Sequence, residues 1–261
     1  MKLITLTTDF GLDDWFVGTM KGVILRLGPR CQVVDITHGI PSGDIRAGAF
    51  ALAAAYRYFP RGTIHVAVVD PGVGGERAGV AVQTTRYCFI GPDNGVLSLA
   101  LAREKIKAIR RLENGRFFLQ PVSRTFHGRD VFASVAAHLS KGASFRSLGP
   151  EVDEFVRLEW PEPKVRGREV RWQVVYLDRF GNGITNLTAA HLAKLGCSPW
   201  SVRLRRGRSF RVAAFYQALP VGKPAGVVSS TGFLEIAANG RSAAEVLGLK
   251  VGDPVHVRGV P

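Results

Sequence analysis

Residues 62–77 read GTIHVAVVDPGVGGER, and the fold class follows from them. The largely apolar run predicts a strand over residues 62–70, because a strand covered on both faces of a sheet lacks polar alternation. Asp70 ends this strand, and Pro71 and glycines follow it, so the backbone beyond the carboxylate can approach a ligand closely. A tight turn capped by Asp70 explains the same residues without any function.

Strands and helices alternate on both sides of this stretch in the first half of the chain. Strands are predicted at Leu3–Thr8 and Cys31–Ile36 from their β-branched content. Helices are predicted at residues 15–27 and 42–58 from apolar spacing, the second with Ser42 as its N-cap. This alternation predicts an N-terminal α/β domain, in which a mostly parallel sheet is flanked by helices.

The second half of the chain has a different pattern. Residues 159–168, EWPEPKVRGR, contain two prolines and several charges without periodicity, which predicts a linker between domains at 1–158 and 169–261. Short runs of strand-forming residues separated by turn residues predict a smaller C-terminal all-β barrel. The predicted strands are 172–177, 202–204, 210–213, 225–229, 234–237 and 254–257, and the predicted short helix is 243–249.

Composition excludes several classes of protein. The chain has 261 residues, of which 46% are hydrophobic, so it can form one large or two smaller ordered domains. Its 3 Cys include no CxxC pair and its 6 His show no ligand spacing, so neither a disulfide framework nor a metal site is expected. The N-terminus lacks a signal-peptide core, and the longest apolar stretch, Ala47–Tyr56, is far shorter than the ~20 residues of a membrane span. We therefore expect a cytoplasmic protein.

The formal net charge is +14, and the densest basic patch is VRLRRGRSFRV at residues 202–212. Its alternation predicts a strand with an arginine-lined solvent face. A nucleic-acid groove is the alternative, and it would use Arg203, Arg205, Arg206 and Arg208. Because no aromatic platform or nucleic-acid motif accompanies the patch, a solvated face is favoured and nucleic acid is not the expected partner.

Polar residues follow the predicted strands where α/β sheets bind ligands, at the carboxyl ends. Asp9, Asp35 and Asp70 each follow a strand, and we expect them to meet at one rim. Arg77 shares the loop of Asp70. His127 precedes a helix predicted at 129–139, whose macrodipole would keep the imidazole neutral; a His that only satisfies a hydrogen bond is the simpler interpretation.

Two nucleotide-binding motifs are absent from the Asp70 loop. The pattern GxGxxG fails at Arg77, where the third glycine would stand, which excludes a dinucleotide-binding dehydrogenase. No GK[ST] follows, which excludes a P-loop. In the second half, DRFGN at 178–182 and SSTG at 229–232 close strands, and each pattern is also typical of a plain turn.

Seven motifs occur in order along nearly the whole chain: TTDFG, DITHGI, YFPRGTIHVAVVDPGVG with Arg77 behind it, GPDNG, FHGRDVF, DRFGN and SSTGFLEIAAN. Together they resemble the S-adenosylmethionine (SAM) hydroxide adenosyltransferases, which are SAM hydrolases related to fluorinase and chlorinase. The resemblance implies an α/β domain followed by a β-barrel. It also implies a homotrimer that binds SAM between one subunit's N-terminal domain and its neighbour's C-terminal domain, with SAM as substrate and no cofactor.

The resemblance implies a role for each matching residue. The hydrolytic triad would be Asp70, Arg77 and His127. The implied substrate-binding residues are Asp9 at the ribose diol, Asn182 at the adenine edge, Asp178, Ser230 and Glu235 at the methionine amino and carboxylate groups, Ala238 and Gly240 on the adenine side, and Trp15, Phe16 and Phe180 as further contacts.

The expected reaction is hydrolysis of SAM to adenosine and L-methionine, by attack of an activated water on C5′ of the ribose. A SAM-dependent halogenase is the alternative within this resemblance. A carboxylate at Asp70 would repel an incoming halide at ~4 Å by about 4 kcal/mol at an effective dielectric constant of 20. Gly128 stands where fluorinases have a serine, which also argues against halide binding, so hydroxide is the better expectation. Ser230–Thr231 stands where fluorinases have Ser-Arg, so the contact to the methionine carboxylate is expected to differ.

Overall fold

The computed structural model describes residues 2–166, 169–194, 199–204 and 207–259, and the chain divides into two compact units, Met1–Leu158 and Glu159–Pro261. The strands are β1 Leu3–Thr8, β2 Gln32–Thr37, β3 Ile64–Val68, β4 Gly79–Thr84, β5 Cys88–Pro92, β6 Ile106–Arg111, β7 Lys164–Arg166, β8 Glu169–Leu177, β9 Gly183–Thr188, β10 Trp200–Leu204, β11 Ser209–Ala213, β12 Pro224–Val228, β13 Phe233–Ala238 and β14 Pro254–Gly259. The helices are α1 Phe16–Leu27, α2 Ile45–Ala55, α3 Ser98–Leu101, α4 Ser134–Ser140, α5 Ala189–Lys194 and α6 Ala243–Leu247.

The first unit contains a six-stranded sheet in the order β2-β1-β3-β5-β4-β6. Strand β1 pairs in parallel with β2 and β3, and β3 pairs in parallel with β5. Strand β4 runs antiparallel to both β5 and β6. The predicted α/β class with a mostly parallel sheet is confirmed, whereas the antiparallel strands at the other edge were not foreseen.

The core of the first unit lies between this sheet and its helices. Met20 and Ile24 of α1 belong to the same buried cluster as Ile4 and Leu6 of β1, and Phe132 belongs to it as well. Buried side chains of this kind stabilise the folded state by about 1.5–3 kcal/mol each, so the layer is a firm support for the loops at the strand ends.

Two helix starts differ from the sequence prediction. Asp44, not Ser42, is the N-cap of α2, since its side chain accepts a hydrogen bond from Ala47 N at 2.9 Å. Both residue types are good caps, so the sequence alone did not separate them. The helix predicted at 129–139 is split, with a π-helical segment at Gly128–Ala133 before α4.

The second unit is a closed seven-stranded barrel, which confirms the predicted β-barrel. Its strand order is β14-β10-β11-β12-β13-β9-β8, pairing between β14 and β8 closes it, and β7 is added beside β8. The inward core includes Trp172, Leu187, Leu234 and Val257.

Several details of the barrel correct the prediction. The proposed linker contains β7, whose three residues are too few to show a period. Strand β9 and helix α5 were missed. The strands predicted at 202–204 and 210–213 correspond to β10 and β11, which pair antiparallel, so the arginine-rich stretch is not one continuous strand. Arg205, Arg206 and Cys197 lie outside the described residues.

Candidate active site

A cavity of about 360 Å³ lies at the carboxyl ends of β1 and β3. These strands are parallel neighbours, so the residues that follow them, Asp9 and Asp70, are brought to the same edge of the sheet. Phe16 and His127 complete the set of sequence-predicted residues that line it. The full lining is Asp9, Phe10, Phe16, Ser42, Gly43, Val68, Asp70, Pro71, Val73, Thr125, Phe126, His127 and Gly128.

Asp70, Arg77 and His127 form one hydrogen-bonded cluster. Arg77 Nε donates to Asp70 Oδ1 at 2.9 Å, and Arg77 Nη2 donates to Asp70 Oδ2. The same Nη2 lies 2.8 Å from His127 Nδ1. The side chains of Arg77 and Asp70 are only 14% and 4% exposed, so this pair is largely withdrawn from water. A two-point contact of this kind fixes the plane of the carboxylate as well as its position.

The contact between Arg77 and His127 determines the protonation of the imidazole. A guanidinium can only donate, so His127 Nδ1 must accept and the ring proton of the neutral form is on Nε2. Burial first, and the charge of Arg77 second, lower the pKa of His127. The predicted neutral state agrees with this direction, and burial and the Arg77 cation are the causes that the structure adds to the helix position foreseen from sequence.

Local backbone geometry holds the Asp70 loop in place. Gly74 has φ +77°, and a Cβ there would lie 2.1 Å from the carbonyl oxygen of Arg124, so a larger residue does not fit. Asn94, in the GPDNG motif, donates from Nδ2 to the carbonyl oxygen of Val69 at 2.8 Å. The residue immediately before Asp70 is thereby tied to a neighbouring loop.

Asp9 faces the same cavity with part of its hydrogen-bonding capacity unused. Its Oδ2 accepts from Gly43 N at 2.8 Å, which leaves lone pairs on both oxygens for a ligand. Phe10, Phe16 and Phe126 pack against one another beside it, with ring centroids 5.2–5.8 Å apart. The carboxylate therefore stands next to an aromatic wall.

Two predicted residues are not brought to this cavity. Trp15 is 69% exposed and its indole packs on Phe16, outside the cavity lining. The expected meeting of three carboxylates is wrong for Asp35, which contacts Lys21 of α1 instead. Successive residues of a strand face opposite sides of the sheet, and Asp35 faces the side that α1 covers.

A second cavity, of about 690 Å³, lies in the barrel unit. All seven substrate-binding residues predicted for this half of the chain line it. The full lining is Asp178, Phe180, Asn182, Ile184, Tyr216, Ser229, Ser230, Thr231, Glu235, Ala238, Gly240, Arg241 and Ser242.

Asp178 shapes the turn that carries Asn182. Its Oδ1 accepts from Phe180 N at 2.9 Å and from Asn182 N at 2.8 Å, and its Oδ2 accepts from Asn182 Nδ2 at 3.0 Å. Asn182 therefore keeps one amide hydrogen and its carbonyl oxygen for a ligand. Asp178 retains unused accepting capacity on Oδ2 only.

Glu235 is buried at the cavity wall, and the hydroxyl of Tyr216 donates to its Oε1. Burial raises the pKa of Glu235, and the charge of Asp178 acts in the same direction, whereas the Tyr216 hydrogen bond opposes the shift. Two carboxyl groups in one cavity wall favour a cationic ligand group between them.

Sequence reasoning missed some residues that line the two cavities. Phe10 lies within the quoted TTDFG motif and could have been assigned from it. Tyr216 lies in no motif, and nothing in its neighbours indicates a buried partner. Ser42 and Gly43 were read as a helix start, so their place beside Asp9 was not anticipated.

Metal and membrane features are absent from the part of the chain that the structure describes. No three His, Cys, Asp or Glu side chains there come together as metal ligands would. Among the same residues, none of the helices combines the length and apolar character that crossing a bilayer requires.

Comparison with known families gives one match for each half of the chain. Residues 4–149 match the SAM hydroxide adenosyltransferase N-terminal domain, and residues 172–256 match the C-terminal domain of the same family. The chain belongs to the SAM hydroxide adenosyltransferase family. The resemblance inferred from the seven motifs is thereby confirmed.

The relatives of this chain include proteins named as hydrolases and, at lower identity, as fluorinases. A protein of Salinispora tropica named (R)-S-adenosyl-L-methionine hydrolase is 40% identical over 257 residues, which cover 97% of each chain. A Thermus thermophilus protein of the same name is 38% identical and covers 98% of this chain and all of its own. A fluorinase of Nocardia brasiliensis is more distant, at 27% identity over 98% of this chain and 96% of its own.

The fold is also found in a solved structure. An uncharacterized conserved protein from Thermotoga maritima superposes with a TM-score of 0.91 at 34% identity, over 99% of this chain and 100% of that one. The Thermotoga maritima protein therefore has the same fold over the length of the chain.

Proposed function

We propose that this protein hydrolyses SAM to adenosine and L-methionine by attack of water on C5′ of the ribose. The observation that carries the proposal is the buried Asp70–Arg77–His127 cluster, with Asp70 and His127 lining the cavity that Asp9 also lines. The names of the full-length relatives support the same reaction.

Within the cluster, Asp70 is the group that can accept a proton. Arg77 is already protonated and has no lone pair to accept another proton, and His127 Nδ1 is occupied by the Arg77 contact while Nε2 holds a hydrogen. Each oxygen of Asp70 uses one lone pair on Arg77 and has another available for water. Asp70 would therefore act as general base, while His127 Nε2–H and Arg77 hold the geometry.

The chemistry of SAM matches this arrangement. The oxygen of water bonds to C5′, the C5′–S bond breaks, and both electrons of that bond remain on sulfur as the neutral thioether of methionine. One proton of the water goes to Asp70 and then to solvent, so the reaction needs no cofactor and no acid at the leaving group. Proximity and orientation can lower an activation barrier by about 7–11 kcal/mol, and placing the water in line with the C5′–S bond would contribute several kcal/mol of that.

The remaining residues are assigned to the two ends of the substrate. Asp9 would hold the ribose diol through its unused lone pairs, and Asn182 the adenine edge. Asp178 and Glu235 would surround the methionine ammonium, and Ser230 the carboxylate. Ala238 and Gly240 would line the adenine side, with Phe16 and Phe180 as apolar contacts.

We also propose that the active form is a homotrimer in which each site combines the first cavity of one subunit with the second cavity of its neighbour. The first cavity carries the hydrolytic cluster and the second carries the groups suited to adenine and methionine, so neither suffices alone. Each cavity has an exposed aromatic side chain that a neighbouring subunit could cover: Trp15, which packs on Phe16, is 69% exposed, and Phe180 is 79% exposed.

The experiment that tests this function is product analysis with halide present. Purified protein is incubated with (R)-SAM, the epimer in the relatives' names, and separately with the (S) epimer, in buffer containing chloride or fluoride. Adenosine and methionine in equal amounts support the proposal. Formation of 5′-chloro- or 5′-fluoro-5′-deoxyadenosine identifies a halogenase instead, and no consumption of either epimer rejects both.

A further inference from the structure

A chain of four polar side chains leads from the surface of the first unit to the start of the Asp9 loop. Lys21 Nζ lies 2.6 Å from Asp35 Oδ2, and Asp35 Oδ1 lies 3.0 Å from His38 Nε2. His38 Nδ1 lies 2.8 Å from Thr8 Oγ1. Lys21 and Asp35 are partly exposed, whereas the His38 side chain is 2% exposed and Thr8 is fully buried.

At its inner end, this chain of side chains contacts the residues that precede and follow Asp9. Thr8 precedes Asp9 directly, and its hydroxyl oxygen accepts from Phe10 N at 3.2 Å. Gly11 N donates to the backbone carbonyl of His38 at 2.9 Å. His38 therefore contacts the Asp9 loop through its ring and through its main chain.

The outer part of this chain carries a negative charge at Asp35. Burial acts against ionisation, but the contacts with Lys21 and His38 outweigh it and lower the pKa of Asp35, so Asp35 is an anion. The His38 ring places Nε2 at this carboxylate and Nδ1 at the Thr8 hydroxyl. The hydroxyl oxygen of Thr8 is thereby held between His38 Nδ1 and Phe10 N–H.

We infer that His38, oriented by Asp35 and acting through Thr8, is a positioning residue that sets the place of the Asp9 carboxylate in the cavity. This inference rests on the proposed function, because Asp9 is assigned there to the ribose diol. It gives a role to DITHGI, the motif in which Asp35 fails to reach the cavity.

The test compares three substitutions on β1. Thr8→Val removes the hydroxyl at constant shape, and Thr8→Ser keeps it. Thr5→Val is the matched control, because Thr5 Oγ1 makes the same kind of buried contact, 2.7 Å from His65 Nδ1, but far from the Asp9 loop. KM and kcat for SAM, the dissociation constant of adenosine and the melting temperature are measured for each variant.

We expect Thr8→Val to raise KM and the adenosine dissociation constant about 5- to 50-fold, as loss of one buried hydrogen-bond partner allows, with a much smaller change in kcat. Thr8→Ser should stay near wild type, and Thr5→Val should lower the melting temperature comparably while leaving KM unchanged. An unchanged KM in Thr8→Val, or equal increases in Thr8→Val and Thr5→Val, overturns the inference. If the wild-type protein binds adenosine but forms none from SAM, the proposed function fails, and the adenosine affinities still decide whether the Thr8 hydroxyl that links His38 to the loop positions Asp9.

Discussion

Replacement of Asp70 by Asn separates the catalytic from the structural consequences of the central cluster. The substitution keeps the shape but removes the charge that faces Arg77, and it places an amide NH2 group against a guanidinium that can only donate. Breaking a buried ion pair by removing one partner costs about 3–5 kcal/mol. Because Asn retains one accepting oxygen and Arg77 keeps some exposure, we expect a cost of about 3 kcal/mol in the free energy of unfolding of the first unit. That corresponds to a drop in Tm of roughly 6–12 °C.

The effect of Asp70→Asn on turnover should exceed its effect on binding. Removal of a general base lowers kcat by about 10²- to 10⁴-fold, whereas the adenosine dissociation constant should stay within about threefold of wild type. Glu76→Gln is the control, because it also replaces a carboxylate by an amide, on an exposed residue of the same loop. It should change the free energy of unfolding by less than about 0.5 kcal/mol, as is usual for a surface substitution. Adenosine release is followed by chromatography and binding by calorimetry. Near-normal kcat in Asp70→Asn, or equal losses of kcat and adenosine affinity, would show that Asp70 is not the base.

The remaining predictions concern backbone fit, pH and assembly. Gly74→Ala should lower the free energy of unfolding by several kcal/mol, roughly the clash plus the strain of a positive φ, and should also lower kcat. Gly142 is the control, because it also has a positive φ but nothing lies within 4 Å of the new Cβ, so Gly142→Ala should cost only about 1–2 kcal/mol. Urea unfolding and kcat are measured for both variants. Burial lowers the pKa of His65 to about 3, so its contribution is complete above pH 6.5 and is lost as pH falls from 6.5 towards 3. At pH 4.5 this loss is about 3 kcal/mol at roughly 1.4 kcal/mol per pH unit, and His65→Gln should flatten the acid limb of the stability curve by that amount. If each site combines the first cavity of one subunit with the second cavity of another, mixed trimers of Asp70→Asn and Asn182→Ala subunits contain some sites with neither substitution. Mixing the two variants should therefore restore part of the activity. Mixing without any gain contradicts shared sites.

Much of the fold could be predicted from local patterns. The strand that ends at Asp70 and the helices around it follow from apolar periodicity, and the short strands of the second half indicate a barrel. The antiparallel placement of β4 between β5 and β6 could not be foreseen, because the order of strands in the sheet depends on long-range pairing that no local pattern records. Strand β7 has only three residues, so it has no detectable period.

The candidate site was accessible from sequence where a motif accompanies a strand end. Asp9 and Asp70 meet because parallel neighbouring strands end at one edge, which is a general property of such sheets. Asp35 does not follow this rule, because it lies within β2 rather than beyond its end, and its side chain faces α1. Tyr216 contacts Glu235 across separate elements, and no spacing in the chain indicates that partner.

The fate of the water oxygen tests the central claim most directly. Purified protein is incubated with (R)-SAM in water enriched in ¹⁸O, and adenosine and methionine are analysed by mass spectrometry. The account predicts one ¹⁸O atom in the 5′-hydroxyl of adenosine and none in methionine beyond the level in a protein-free control. Adenosine formed without label would contradict attack of water on C5′, and with it the role assigned to Asp70, Arg77 and His127.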